Sequence, residues 1–142
     1  MDIQTALVLE GFFQKYEHAQ PQMYFKFKKQ GDDFAFTDIC PKLLKLNRLK
    51  RGDVIGETID TASNIGNKVT RDKLKQLYAL AWNQKRVLFY YFPDKNPDIF
   101  NIVYLEPHNY YNQVREVIGR CVPVYKKELQ HPLRHADQFL SF

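Results

Sequence analysis

The chain has 142 residues, of which 44% are hydrophobic and 26% charged, and it carries a formal net charge of +5. This length and composition are those of one globular domain, able to bury a core without metal or disulfide staples. No apolar run approaches the roughly 20 residues that span a bilayer, and the first residues lack a basic leader, so we expect a cytosolic, non-membrane protein. The two cysteines, Cys40 and Cys121, have no CxxC spacing and are expected to be reduced.

The excess positive charge lies in the middle third of the chain. Residues 41–86 carry eleven Lys and Arg against four Asp and Glu, whereas residues 87–142 hold six bases and six acids. A local excess creates a positive potential that attracts polyanions, while evenly distributed charge mainly aids solubility. The pattern therefore favours a negatively charged partner, which is either nucleic acid (RNA or DNA) or an acidic protein.

The first elements are predicted from hydrophobic periodicity. Apolar residues recur at helical spacing over about 3–18, and Pro21 ends this helix. From Met23 to Lys29 apolar and polar residues alternate, as in a half-buried strand. A Gly-Asp turn at 31–32 then returns the chain, so a β-hairpin is predicted at about 23–39.

The next segment is harder to interpret. Pro41 suits a helix N-terminus, but the leucines of the segment from Lys42 to Arg51 spread around most of the helix that it would form. A stretch rich in Gly and Asn follows at 52–69, where a short strand at 53–59 would relieve an otherwise long loop.

The C-terminal half contains the clearest helix, predicted at about 70–84 with Thr70 as its N-cap. Two apolar runs on either side of a proline-rich turn predict a central hairpin at about 86–105. A third helix is expected at about 109–119, followed by a proline-interrupted extended tail. The predicted fold is α+β: an antiparallel sheet of two hairpins with the helices mainly on one face.

Two basic segments form the candidate nucleic-acid interface. Residues 42–51 contain five bases and no acid. A second cluster at 68–75 lies at the start of the predicted helix, where backbone N–H groups and the helix dipole also favour phosphate. The alternative for such a run is a solvated helix face whose lysine stems cover leucines.

Aromatic residues near these bases extend the candidate interface. On the 70–84 helix, Tyr78 and Trp82 continue a stripe that begins with Arg71 and Lys75, although both aromatics are favoured as core residues. One face of the first hairpin interleaves an aromatic residue with lysines. The full candidate set is Lys42, Lys45, Arg48, Lys50, Arg51, Lys68, Arg71, Lys73, Lys75, Tyr24, Lys26 and Lys28.

Few residues suggest catalysis. His131 and His135 flank Pro132 without the Glu of a zinc protease, so no metal site is predicted. His108 and His135 are candidate acid–base groups of a metal-independent ribonuclease, with exposed surface histidines as the alternative. The chain has no P-loop and no dinucleotide motif, and no cofactor is predicted.

The sequence therefore favours a small, basic, non-catalytic nucleic-acid-binding protein that uses residues 42–51 and 68–75. Two alternatives stay open. One is a small metal-independent ribonuclease or toxin-like endonuclease. The other is a protein-interaction module, an inhibitor or adaptor, that docks on an acidic partner.

Overall fold

The computed structural model describes Leu7, Gly11 and residues 23–63, 65–91 and 98–125, with Tyr91 and Phe100 described by their backbone alone. The predicted helix at 3–18 lies outside these ranges except for Leu7 and Gly11, which are helical. The predicted tail lies outside them beyond Tyr125. The elements are β1 (Met23–Gln30), β2 (Asp33–Ile39), α1 (Pro41–Leu46), α2 (Lys68–Trp82), β3 (Val87–Tyr91), β4 (Ile99–Tyr110) and β5 (Gln113–Tyr125).

The five strands form one antiparallel sheet in the order β2-β1-β5-β4-β3. β1 pairs with β2, and β3 pairs with β4. β5 lies between β1 and β4 and pairs with both. The fold is therefore α+β, as predicted, but the sheet contains a fifth strand that joins the two strand pairs.

The predicted helix at about 109–119 is wrong, because these residues form the end of β4, a tight turn and the first half of β5. Tyr111 and Asn112 both have positive φ, 52° and 63°, which is the backbone of a two-residue hairpin turn. The spacing of Val114, Val117 and Ile118 fits a helix, but β-branched residues also suit a strand. Pairing with β4 and β1 on its two sides decides in favour of the strand.

The segment between β2 and α2 also differs from the prediction. α1 ends at Leu46, and Arg48 then adopts a φ of 58°, which stops the helix short of Arg51. No strand forms at 53–59. Instead, the loop pairs with the outer edge of β2 through a few backbone hydrogen bonds, such as Phe36 N–H to the Glu57 carbonyl at 2.9 Å. This loop covers part of an edge strand that would otherwise be open to other chains.

α2 begins at Lys68, and its N-cap is Asn67 instead of the predicted Thr70. The Asn67 side-chain oxygen accepts a hydrogen bond from the Thr70 N–H at 2.9 Å. Thr70 itself is buried in the first turn. Asparagine is among the best N-cap residues because its side chain satisfies one of the free N–H groups at a helix start.

Asn67→Ala is therefore expected to lower the free energy of unfolding by about 1 kcal/mol. Asn67→Ser keeps an acceptor at the cap and should retain most of that stability. Urea denaturation of the three proteins measures both changes. An equal loss in the two variants would contradict the capping role.

The core lies between α2 and the inner face of the sheet. α2 buries Leu74, Leu77 and Tyr78, and the Tyr78 ring lies 4.1 Å from that of Phe27, with 5° between their planes. Gly119 of β5 makes room for the ring of Phe25, since a Cβ there would come within 2.3 Å of it.

The second face of β3, β4 and β5 is buried as well: Tyr90, Ile102 and Val124 are each 0% exposed. The middle of the sheet is therefore not an open binding platform. No helix in the described ranges is long and apolar enough to cross a membrane.

Candidate functional site

A cavity of about 50 Å³ lies between the inner face of the sheet and the helical layer. All five strands contribute to one wall, while α1, α2 and the loop between them form the other. Most of the lining is apolar. The residues that line it are Phe25, Phe36, Ile39, Leu43, Asn47, Leu49, Val54, Ala62, Ser63, Ile65, Leu74, Tyr78, Phe89, Asn101, Val103 and Cys121.

Two buried asparagines interrupt this apolar lining. Asn47 follows α1 and is 4% exposed, and its Nδ2 donates to the Leu43 carbonyl at 2.9 Å. Asn101 lies in β4 and is 1% exposed. The Oδ1 atoms of Asn47 and Asn101 have no hydrogen-bond partner. A buried acceptor without a donor costs about 1–3 kcal/mol, so the two oxygens favour a guest that donates hydrogen bonds.

The volume of the cavity limits what that guest can be. At roughly 10–15 Å³ per water, a cavity of about 50 Å³ holds about three to five water-sized groups. An engineered apolar cavity of about 150 Å³ takes benzene, and pockets for larger organic ligands span roughly 300–1,000 Å³. In this form the cavity fits a molecule of a few non-hydrogen atoms.

Cys121 adds a thiol to the cavity wall. Burial, and to a lesser extent the nearby Cys40, raises the pKa of the Cys121 thiol above its ordinary value. Cys40 is also buried, and its Sγ accepts a hydrogen bond from the Tyr24 N–H at 3.3 Å. A thiol that stays protonated at neutral pH is a poor nucleophile.

Cys121 in the folded chain is therefore expected to resist alkylation by iodoacetamide at mildly alkaline pH and to react fully in urea. Peptide mapping by mass spectrometry after each treatment measures the modification. A Thr37→Cys variant supplies an exposed thiol as a positive control in the same molecule. Rapid native modification of Cys121 would contradict its burial.

The bases predicted at 42–51 lie on α1 and the turn after it, those at 68–75 lie along the first half of α2, and Lys26 and Lys28 lie on β1. Among the bases at 42–51 and 68–75, Arg51 pairs with Asp38, Lys68 with Asp72 and Lys75 with Asp60. These carboxylates neutralise part of the predicted positive face. α1, which has no acid in its first turn, is the part of that face with least compensation.

Asp38 connects the basic turn to the edge of the sheet. Its carboxylate accepts hydrogen bonds from the Arg51 guanidinium at 3.2 Å, the Ile39 N–H at 2.8 Å and the Tyr24 hydroxyl at 3.4 Å. Burial acts to raise the pKa of Asp38, but the bonds from Arg51 and Ile39, with the positive charges of Arg51 and Lys26, hold that pKa below its usual value. The stability that these contacts give is present above the ordinary carboxyl pKa and is lost as the pH falls through the lowered one.

One base from each basic segment interacts with an aspartate of β2, and the two aspartates are at opposite ends of the strand. Arg51 binds Asp38 near the end of β2, while the charge of Asp33, at the start of β2, helps to raise the pKa of Lys75. The main cause of that rise is the hydrogen bond from Lys75 to Asp60. Asp38 comes five residues after Asp33 on the strand, a distance of roughly 17 Å at about 3.4 Å per residue.

The aromatic candidates separate into different environments. Tyr78 is buried, as predicted, whereas Trp82 is half-buried at the edge of the core, its ring 6.1 Å from that of Phe34. On β1, Lys26 Nζ lies 5.7 Å above the ring of Tyr24. The stripe predicted on α2 is thus not an exposed stacking platform over its full length.

The catalytic candidates are not brought together within the described residues. His108 is exposed on β4, and two neighbouring residues of the sheet, Glu106 and Arg120, form an ion pair at 3.2 Å. His135 lies outside the described residues. In the ranges that the structure describes, no three His, Cys, Asp or Glu side chains are grouped so as to hold a metal ion.

The sequence interpretation missed Asn47 and Asn101. The available signal was an asparagine within the apolar run from Ile99 to Leu105, since a buried polar residue in a central strand needs a hydrogen-bonding reason.

Several solved structures share the α+β fold of this chain. The chain is similar to a sensory box sensor histidine kinase from Vibrio cholerae, with 11% identity, a TM-score of 0.55, and coverage of 89% of this chain and 94% of that chain. It is also similar to an RNA-binding light-oxygen-voltage receptor, with 16% identity and a TM-score of 0.54 over 87% of this chain.

The chain spans 35% of the length of the RNA-binding receptor. No protein-family model and no curated protein sequence matches the chain. At these sequence identities the likeness to the two solved structures concerns the fold.

Proposed function

We propose that the chain is a sensory module that binds a small hydrogen-bond donor in the cavity between sheet and helices. The observation that carries this proposal is that Asn47 and Asn101 line one cavity and that the buried Oδ1 atom of each has no hydrogen-bond donor. The PAS/LOV-like fold of the two structural neighbours, one of which is named a sensory box protein, supports it.

Asn47 and Asn101 belong to different layers of the molecule. Asn47 ends α1 in the helical layer, and Asn101 lies in β4 of the sheet. A guest that donates hydrogen bonds to both oxygens links α1 to the sheet, and this link is lost when the guest leaves the cavity. Occupancy of the cavity therefore changes how firmly α1 and the basic turn after it are held, and a partner bound at that surface would respond to the ligand.

Two probe molecules of equal size test this proposal. Formamide donates hydrogen bonds through its N–H₂ group, whereas acetonitrile has the same number of non-hydrogen atoms and no N–H or O–H donor. We expect formamide, and not acetonitrile, to shift the NMR signals of the Leu43 and Val103 methyl groups at the cavity wall. Native mass spectrometry of the freshly purified chain tests in parallel for a retained small molecule.

Asn101→Leu is the matched control for both measurements. It removes one acceptor and fills part of the cavity, so the formamide response should disappear. Equal responses to formamide in the wild type and in Asn101→Leu, or equal responses to formamide and acetonitrile, would contradict the proposal.

Nucleic-acid binding is a second candidate function, through residues 42–51 and 68–75. The run of five bases without an acid at 42–51 favours it, and one structural neighbour is named an RNA-binding receptor. The exposed side chains of Lys42, Lys45 and Lys50 would contact phosphates. An acidic protein would be the competing partner for the same face, and it would leave the chain without affinity for oligonucleotides.

Replacing Lys45, Arg48 and Arg51 together by Gln should flatten the salt dependence of oligonucleotide affinity. Each phosphate contact contributes a slope of roughly −0.7 to −0.9 in log K against log salt, so the slope should change by about 1.5 to 2.5 units. The change in slope is about 1.5 units if Arg51 of the wild-type chain remains paired with Asp38 and so contacts no phosphate. Fluorescence anisotropy at several salt concentrations measures the slope, and an unchanged slope would rule out this segment as the contact.

A further inference from the structure

The turn between β4 and β5 carries two exposed tyrosines. Tyr110 is 59% and Tyr111 is 84% exposed, and their rings meet edge to face with centroids 4.3 Å apart. Tyr111 also has a φ of 52°, a backbone region that favours glycine or asparagine over a bulky residue. A strained and exposed aromatic residue is not explained by packing, which points to a role in recognition.

A polar groove of about 510 Å³ opens beside this turn. Gln84, just after α2, joins the two sides of the groove, since its Nε2 donates to the Asn112 carbonyl at 3.3 Å. The lining combines one indole, four side-chain amides and one guanidinium, with no acid. Its residues are Trp82, Asn83, Gln84, Asn112, Gln113, Val114 and Arg115.

Three bases lie in the lining of this groove or next to it in the chain. Lys85 and Arg86 follow Gln84 directly, and Arg115 lines the groove itself, all three with exposed side chains. Within the parts of the chain that the structure describes, none of the three belongs to an ion pair. Their charge is therefore less compensated than that of the paired bases on α2.

We propose that this surface, formed by Tyr110, Tyr111, the groove and its three bases, binds single-stranded nucleic acid. Unpaired bases stack on aromatic rings, side-chain amides match the donor and acceptor edges of bases, and cations contact phosphates. An acidic peptide would use the cations alone and would not need the exposed ring of Tyr111.

The proposal goes beyond both proposed functions. It uses neither the cavity nor residues 42–51 and 68–75. The surface lies at the C-terminal end of α2, while Lys68 lies at the N-terminal end. A helix of 15 residues separates the two ends by roughly 20 Å.

The variant Tyr111→Gly tests the role of the Tyr111 ring in binding without an expected loss of stability. Glycine suits the φ of 52°, so the melting temperature should stay the same or rise. The affinity for a short oligouridine, measured by fluorescence anisotropy with the full chain, should fall roughly 5- to 150-fold, because stacking of one base is lost. Arg115→Gln should also flatten the salt dependence by about one unit.

Trp82 provides a second signal, because it is the only tryptophan in the chain. Oligouridine should quench its emission, whereas poly-glutamate, a polyanion without bases, should not. Unchanged affinity in Tyr111→Gly, equal binding of poly-glutamate, or no binding of oligouridine at all would overturn the proposal. Affinity that depends on Lys45, Arg48 and Arg51 but not on Tyr111 would overturn it in favour of the surface at 42–51.

Discussion

Tyr78→Ala is expected to lower the free energy of unfolding by about 3–5 kcal/mol, the usual loss when a large buried aromatic is truncated. The Tyr78 side chain is 4% exposed and stacks on Phe27 at 4.1 Å. Its ring also lies within 6.2 Å of those of Phe25, Phe34 and Phe36. One ring thus joins α2 to β1 and β2, and its removal leaves a cavity among four aromatic neighbours.

Two control variants isolate the ring of Tyr78. Tyr78→Phe keeps the ring and removes only the hydroxyl, so the loss should stay below about 1.5 kcal/mol. Leu80→Ala truncates a side chain that is 47% exposed on the same helix, and it should change the stability little. Urea denaturation with a constant m-value gives the three differences. A loss from Tyr78→Ala no larger than that from Leu80→Ala would show that the aromatic cluster does not hold the helix to the sheet.

Asn101→Leu is expected to change stability in the opposite direction, raising the free energy of unfolding by about 1–3 kcal/mol. The Asn101 side chain is 1% exposed, and its Oδ1 atom has no hydrogen-bond partner. An apolar side chain removes that unsatisfied acceptor and fills part of the cavity. The gain would measure how much the unpaired Asn101 acceptor of a polar binding site lowers the stability of the native chain.

Asn47→Leu serves as the comparison. Its Nδ2 donates to the Leu43 carbonyl, so this substitution loses one hydrogen bond and should gain less stability than Asn101→Leu, or none. Thermal and urea denaturation of ligand-free protein measure both variants. A clear loss of stability in Asn101→Leu would mean that the oxygen already has a donor in solution, and that the cavity holds ordered water as part of the fold.

The local elements could be predicted from the sequence because their signals are short in range. Alternation of apolar residues from Met23 to Lys29 identified β1, and 3.6-residue periodicity identified α2 and the burial of Tyr78. The position of β5 could not be predicted in this way. The spacing of Val114, Val117 and Ile118 fits a helix or a strand, and hydrogen bonds to β1 and β4, far away in the sequence, decide between them.

For the candidate functional surfaces too, the sequence shows some features and only the tertiary structure decides others. Composition alone determined that the middle third is basic, since charge is a property of the residues themselves. How much of that charge is available depends on tertiary contacts, such as those of Arg51 with Asp38 and Lys75 with Asp60. Asn47 and Asn101 line the same cavity only because the fold packs the helical layer on the sheet, and no local pattern connects two residues so far apart in the chain.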